Sequence, residues 1–289
     1  MSFGSPYLTL PDFTYHKPAS LEEAIALLRQ HGDEAKLMGG GVGLLAFMKE
    51  RLMSPTHVID MKGVAELKVV EEVPGRGMRI GAAATLEELL EEGKLKKEYA
   101  VLHEALSKVA DPMIRRRATL VGNLCEAIPW VDSPPALIAL DASVEILGTD
   151  GKRSTQVSNF IRGPVDIDLS PTEIVTAVEI PEARGRESAF EKFTAGSEFS
   201  VASVAVALSN EGRKRSARVV YGAVNPTPAR CLEVEEEIKD GLTPASVRKA
   251  ADAAYERVEC MDDVLASSPY RKHLVKVITT KVLRRMMGR

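Results

Sequence analysis

The stretch Ala35-Lys-Leu-Met-Gly39-Gly-Gly-Val-Gly43-Leu-Leu-Ala-Phe-Met-Lys49 decides how this chain is read. Ala35 to Met38 has the length of a short strand. Four glycines in five residues follow: Gly39, Gly40, Gly41 and Gly43. Leu44 to Leu52 then has helical character until Pro55, and Thr56-His-Val-Ile-Asp60 reads as the next strand. The pattern predicts a strand, glycine loop, helix and strand between Ala35 and Met61, close to the ~30 residues of such a unit. Glycines ahead of a helix let backbone N–H groups converge on an anion, because no Cβ blocks the approach. The helix adds its positive N-terminal end, so phosphate or pyrophosphate is the natural ligand. No Gly-Lys-Ser/Thr follows, which excludes a P-loop. Gly41-Val-Gly43-Leu-Leu-Ala46 does match the relaxed dinucleotide fingerprint GxGxxA, with Asp60 as its candidate ribose acid. That frame describes a free-standing NAD-dependent Rossmann enzyme, and a tight turn without ligand satisfies the same glycines.

Working outward, Ser20-Leu-Glu-Glu23 predicts a capping box, with Leu21, Ala24, Ile25 and Leu28 at helical spacing and Gly32 as the stop. Arg79 to Ala83 is a predicted strand and Thr85-Leu-Glu-Glu88 a second capping box. Tyr99 to Val109 has a helical pattern, Asp111-Pro112 reads as an N-cap with proline in the first turn, and Ser133 to Leu140 is another helix. Ala142 to Leu147 and Arg153 to Val157 form a hairpin around Thr149-Asp-Gly-Lys152. Pro164 to Pro171 is polar and flanked by prolines, which places a domain boundary there. Beyond it, strands at Ile174–Ile180, Ala189–Ala195, Val201–Leu208 and Ser216–Ala223 precede helices at Pro244–Val258 and Pro269–Met287. Strands first and helices after predict an α+β domain with helices on one face. Leu274, Val277, Ile278 and Leu283 of the last helix are either core or a subunit contact.

The 289 residues suffice for two packed domains without disulfide staples. Lys plus Arg is 38 and Asp plus Glu is 41, a net charge of -3, so no overall cationic field draws the chain to nucleic acid or an anionic membrane. No apolar run reaches the ~18 residues of a membrane span, and the stretch Met1 to Lys17 lacks the pattern of a secretory signal. Cys125, Cys231 and Cys260 are far apart, as expected of reduced thiols in a cytoplasmic protein. His16, His31, His57, His103 and His273 include no HxxH or HExxH pair, so no zinc or iron–sulfur site is expected in this chain.

A second segment gives the glycine cluster a partner. Arg115-Arg-Arg-Ala-Thr-Leu-Val-Gly-Asn123 combines three cations, a hydroxyl and a glycine, and Asp132 follows nine residues after Asn123. Two donor-rich loops could clamp one pyrophosphate, with Asp132 accepting from a ribose hydroxyl. The plainer alternative makes Arg115 to Arg117 a solvated helix end and Asp132 a helix cap.

At this point the chain resembles a family over nearly its whole length. Gly39 to Lys49 is similar to the AGG(H/T/Q)(S/D)LLxxMK motif of the FAD-binding medium subunits of molybdenum hydroxylases, which include the flavin subunits of carbon monoxide dehydrogenase and of xanthine and aldehyde oxidoreductases. Arg115 to Cys125 resembles the family's RNRGTIGGNLC, and Asp132 with Pro134 to Ala142 resembles ADxxPALLALDA. Phe13 to Ala24 fits the family's opening, and Tyr221 to Arg230 fits its GAVxPTPxR stretch.

The resemblance implies an α+β chain. A vanillyl-alcohol-oxidase-type FAD-binding domain would span 1–168, in two subdomains divided near 62–75, and a smaller α+β domain would span 169–289. It implies FAD held by Gly39, Gly40, Gly41, Val42, Gly43 and Leu44 from one loop and by Thr119, Leu120, Val121, Gly122 and Asn123 from the other. Asp132 would contact the adenosine ribose, and Lys192 of the AYEK-like Ser188–Lys192 would lie near the flavin. A solvated lysine on an edge strand is the alternative for Lys192. Partners implied are a molybdopterin-binding large subunit and a small subunit with [2Fe–2S] clusters, electrons leaving through FAD to NAD, a quinone or oxygen. The family's Ser or Asp is Gly43 here, its preceding His, Thr or Gln is Val42, and a glycine of its second loop is Val121. Arg116 and Ala118 also depart, Phe193 to Glu198 carries no cation, and the four-cysteine insertion of one branch is absent. These departures motivate a second expectation, a scaffold subunit that docks the other chains without FAD.

Overall fold

The computed structural model describes residues 9–183, 185–196, 199–211 and 214–288. Residues 1–8 of the stretch read for a signal, and Ser197 and Glu198 of the cation-poor stretch, lie outside the described residues.

Three sheets organise the chain. The first is parallel, in the order β1-β3-β2, from β1 (Thr14–His16), β2 (Ala35–Met38) and β3 (His57–Asp60). Helix α1 (Leu21–His31) connects β1 to β2, and α2 (Val42–Lys49) connects β2 to β3. The glycine unit read from the sequence is therefore present, with its helix beginning two residues earlier than expected. The Ser20 hydroxyl caps α1 by accepting from the Glu23 N–H, while the Glu23 carboxylate takes the N–H of Ala19. Half of the predicted capping box forms, because the carboxylate reaches one residue further back.

The second sheet is antiparallel, in the order β4-β5-β10-β6-β7. It comprises β4 (Val70–Val73), β5 (Gly77–Gly81), β6 (Ser143–Gly148), β7 (Gly151–Gln156) and β10 (Ile174–Ile180); β8 (Ile161–Gly163) and β9 (Asp166–Ile167) form a small separate pair. Ile174–Ile180, read from the sequence as the first strand after the domain boundary, is the middle strand of this sheet, bonded to β5 and β6. Six of its seven residues are buried, which is why it reads as a continuous apolar run and not as an alternating one. The sheet is covered by α3 (Leu86–Glu91), α4 (Gly93–Glu98), α5 (Ala100–Ser107), α7 (Leu120–Glu126), α8 (Ser133–Ala139) and α9 (Val157–Phe160), whose apolar residues share its core, while the short α6 (Pro112–Arg115) contributes no buried residue. Thr85 and Glu88 form the full predicted capping box of α3, and Asp111 caps α6 through the Ile114 N–H at 2.9 Å.

The third sheet, β11 (Arg186–Thr194), β12 (Ser200–Glu211), β13 (Lys214–Gly222) and β14 (Ala229–Arg230), is an antiparallel meander. Period-two alternation splits its residues between two cores. Ala189, Val204, Val206, Val219 and Tyr221 face α10 (Leu232–Ile238), α11 (Pro244–Arg257) and α12 (Ser268–Met287). Phe190, Ala205, Ala207 and Val220 face the other way, into the core of the preceding region. This shared packing joins the two halves of the chain and holds β11 and β12 against α5 and α8. Leu274, Ile278 and Leu283 of α12 are core residues, whereas Val277 is exposed. Among the described residues no helix is long and apolar enough to cross a membrane.

Candidate cofactor site

The first loop leaves β2 at Met38 and enters α2 through Gly41, which has a left-handed φ of 81° and serves as the N-cap. A side chain there would be strained, and this position needs glycine for its backbone alone. The loop is anchored from below. Lys62 Nζ donates to the Gly39 carbonyl at 3.1 Å and pairs with Asp60 at 2.7 Å, and the other Asp60 oxygen accepts from the Tyr15 hydroxyl. Burial opposes the charge on Asp60, but the hydrogen bonds from Lys62 and Tyr15 outweigh it and hold the carboxyl below its ordinary value. Asp60, the ribose acid of the Rossmann frame, therefore spends both oxygens inside the protein and is not in the cleft wall. That frame fails at this residue.

The second loop is held by side chains. Thr119 caps α7, its hydroxyl accepting from the Gly122 N–H at 3.0 Å. The Leu86 N–H donates to the Ala118 carbonyl at 2.9 Å, and Leu120 N–H to the Ala84 carbonyl at 3.3 Å. Asn123 Oδ1 accepts from the Ser133 hydroxyl at 2.6 Å. The segment is helical where a loop was expected, and helical spacing sorts its residues. Leu120, Val121 and Leu124 are buried in the core, whereas Thr119, Gly122 and Asn123 line the cleft. The Leu120 and Val121 side chains point into the core, which leaves only their backbone for a ligand, and the Val121 side chain does not crowd the cleft. Arg115 is tied to Glu87 at 3.2 Å and to the Val109 and Ala110 carbonyls, while Arg116 and Arg117 are exposed. No arginine of the run lines the cleft.

The two loops touch. A Cβ built on Gly40 would lie 1.7 Å from the Arg117 carbonyl oxygen, far inside van der Waals contact, so only glycine allows this approach. Together they border a cleft of about 420 Å³, within the range of small-molecule and cofactor sites. Gly39, Gly40, Gly41, Val42, Gly43 and Leu44 all line it, as does Asp132. Glu126 also lines it and lies against Gly43, where a Cβ would come 2.9 Å from the Glu126 carboxyl carbon. The absent side chain at position 43 is thus matched by a carboxyl that fills its space. Burial raises the Glu126 carboxyl above its ordinary value, and burial pushes the neighbouring Cys125 thiol up to about 12, so it faces the cleft as a neutral group.

Asp132 and Lys192, 60 residues apart, form a buried ion pair at 2.6 Å. Lys192 Nζ also donates to the Lys108 carbonyl at 2.7 Å, and Ser200 Oγ donates to the other Asp132 oxygen at 2.6 Å. Burial pushes the Asp132 carboxyl upward, against the pull of Lys192, Ser200 and Lys108. Lys192 does stand on an edge strand, but its side chain is not solvated, and it sits behind Asp132 outside the cleft wall. The wall is completed by residues that the sequence reading did not single out. Trp130 and Phe199 meet at 5.8 Å between ring centroids, and the Trp130 indole N–H donates to Asp263 at 3.0 Å. Trp130 is the only tryptophan of the chain and lies two residues before Asp132. Phe199 comes from the far half of the chain, and no local pattern marks it.

Residues 11–183 match the family described as the FAD binding domain in molybdopterin dehydrogenase, and residues 189–286 match the CO dehydrogenase flavoprotein C-terminal domain. The chain belongs to this family, the FAD-binding subunits of molybdenum-hydroxylase-type oxidoreductases. It is 31% identical over 277 residues to the carbon monoxide dehydrogenase medium chain of Hydrogenophaga pseudoflava, covering 94% of this chain and 96% of that one. It is 30% identical to the glyceraldehyde dehydrogenase medium chain of Sulfolobus acidocaldarius, with 95% and 98% covered. Among solved structures, a carbon monoxide dehydrogenase from Hydrogenophaga pseudoflava lacking the Mo-pyranopterin moiety superposes with a TM-score of 0.91 at 30% identity, covering 97% of this chain and 99% of that one.

Proposed function

We propose that this chain holds FAD across the cleft and relays electrons from the [2Fe–2S] clusters of a small partner subunit to an external acceptor, with molybdopterin carried by a large partner subunit. The contact of the two glycine loops at Gly40 and Arg117 carries the reading, since it brings both loop edges to one cleft that a single Cβ would disrupt. The flavin supplies the capacity to take electrons singly and to release them singly or in pairs. The chain supplies binding, orientation and exclusion of water. N–H groups in the first turn of α2 have no acceptor within the helix and, with its positive end, suit a pyrophosphate. Thr119, Gly122 and Asn123 offer the opposing edge, and Trp130 with Phe199 supplies an apolar wall. A carboxylate has about four lone-pair sites, so Asp132 keeps acceptor capacity for a ribose hydroxyl while Lys192 and Ser200 orient it. In this reading Lys192 positions Asp132. A cytoplasmic location accords with the free thiols Cys125, Cys231 and Cys260. We place the division of the chain between Ile180 and Arg186, where the second sheet hands over to the third.

The test is co-expression with the partner subunits, followed by the flavin absorbance and flavin-to-protein ratio of the purified complex. One FAD per chain is expected. An intact complex without flavin would leave the scaffold reading standing and end this one.

A further inference from the structure

Three histidines that share no sequence motif meet on the face of the first sheet remote from the glycine loop. His16 closes β1, His57 opens β3 and His31 ends α1. Parallel register sets Thr14 beside His57 and His16 beside Ile59, so His16 and His57 emerge on the same face. Ala35 and Ile59 of that face pack with Ala24 and Leu28 of α1, whereas Met38 and Val58 pack on the opposite face with Met48 of α2. None of the three histidines lines the cleft.

The three side chains are half-buried and in mutual contact. His16 Nε2 and His57 Nδ1 are 2.9 Å apart, and the His31 ring stacks on His57 with centroids 3.6 Å apart. One ring nitrogen from each residue lies within 4.8 Å of those of the other two. Zn–N bonds of 2.0–2.1 Å in a tetrahedral site put ligand nitrogens about 3.3 Å apart, which half-exposed rings reach by side-chain rotation.

We propose that His16, His31 and His57 form a binding site for a divalent transition-metal ion, Zn²⁺ being the expected occupant, with one coordination position open to solvent. Imidazole ligands suit Zn²⁺, Cu²⁺ and Ni²⁺ alike; a tetrahedral arrangement with one open position and metal availability, not raw affinity, favour Zn²⁺. Occupation ties β1, α1 and β3 together behind the sheet that carries the first glycine loop. The inference is independent of flavin binding.

The experiment uses the full chain without an affinity tag, stripped of metal by a chelator and titrated calorimetrically with ZnCl₂. Expected is one Zn²⁺ per chain with micromolar or tighter affinity, a raised Tm, and a four-coordinate visible spectrum when Co²⁺ replaces it. His31→Asn and His57→Asn each weaken binding by at least about a hundredfold, the upper end of what losing a mere supporting residue costs. Far-UV circular dichroism confirms that the variants fold. Should they unfold, the wild-type chain still decides the matter: Zn²⁺ must protect His16, His31 and His57 from diethyl pyrocarbonate, read by mass spectrometry. No binding at millimolar Zn²⁺, binding unchanged in the variants, or no protection of these three residues would overturn the proposal.

Discussion

The two loops of the cleft are held in place by opposite means. Gly39 to Gly43 depends on missing side chains: Gly41 bends left-handed, and Gly40 lets the backbone reach Arg117. Thr119 to Asn123 depends on side chains that are present: a Thr119 cap, an Asn123–Ser133 hydrogen bond, and Leu120 and Val121 sunk in the core. A loop built on absences tolerates no added atom where backbones meet. A loop built on contacts tolerates no removed one.

The comparison can be broken or sharpened by substitution. The largest effect is expected behind the second loop. Lys192→Met leaves Asp132 buried without its cation, and loss of one partner of a buried pair costs about 3–5 kcal/mol; urea unfolding measures it, and a change below 1 kcal/mol, on the scale of exposed pairs, would refute the buttress. Val121→Gly would restore the family's residue, yet it empties a core position and adds a glycine to α7. We expect a loss of about 3 kcal/mol and no gain in flavin. Tighter FAD binding in this variant would return Val121 to the cleft.

Gly40→Ala drives a methyl into the Arg117 carbonyl. Overpacking costs about 1–3 kcal/mol, and the displaced loop should lose most of its bound flavin, measured as absorbance per chain. A variant that keeps its full flavin would show that the two loops need not touch.

Glu126→Gln tests the carboxyl that occupies the space beside Gly43. The folded state raises this carboxyl, so its folded form binds a proton more readily than the unfolded one. Stability is thus fully present below the unfolded value and falls as pH rises through the raised folded value. The wild type should lose stability relative to Glu126→Gln as pH rises above the ordinary glutamate value of about 4.3, and parallel unfolding curves across that rise would contradict it. The smallest effect is expected from Gly43→Ser, because the atom it meets is the movable end of Glu126. Flavin retention should change less than about tenfold, or 1.4 kcal/mol. A larger loss, abolished in Gly43→Ser/Glu126→Ala, would show that Glu126 cannot move.

Much of the fold was legible in the sequence because local signals there agree with tertiary context. The β2–α2–β3 unit, the β6–β7 hairpin, the Thr85 cap and the helices α11 and α12 follow periodicity and capping chemistry. Ile174–Ile180 was legible as a strand but not as a neighbour of β5 and β6, since pairing across 27 to 102 residues leaves no local mark. Helix α7 was hidden because Gly122 and Asn123 read as loop residues, and its side-chain sorting follows only once the helix is known. The residues 39–44 and 119 to 123 could be named from motifs. Phe199 and the pairing of Asp132 with Lys192 could not.

The sequence by itself determined that two glycine-bearing loops exist, that a helix follows the first, and that the chain belongs among flavoprotein subunits. These are local matters of backbone freedom and ordered motifs. Only the tertiary structure decided that Gly40 meets Arg117, that Val121 turns inward, that Lys192 answers Asp132, and that His16, His31 and His57 converge. Those contacts join residues 15 to 77 positions apart. They exist because sheet register and helix packing bring separate elements together, which spacing along the chain does not encode.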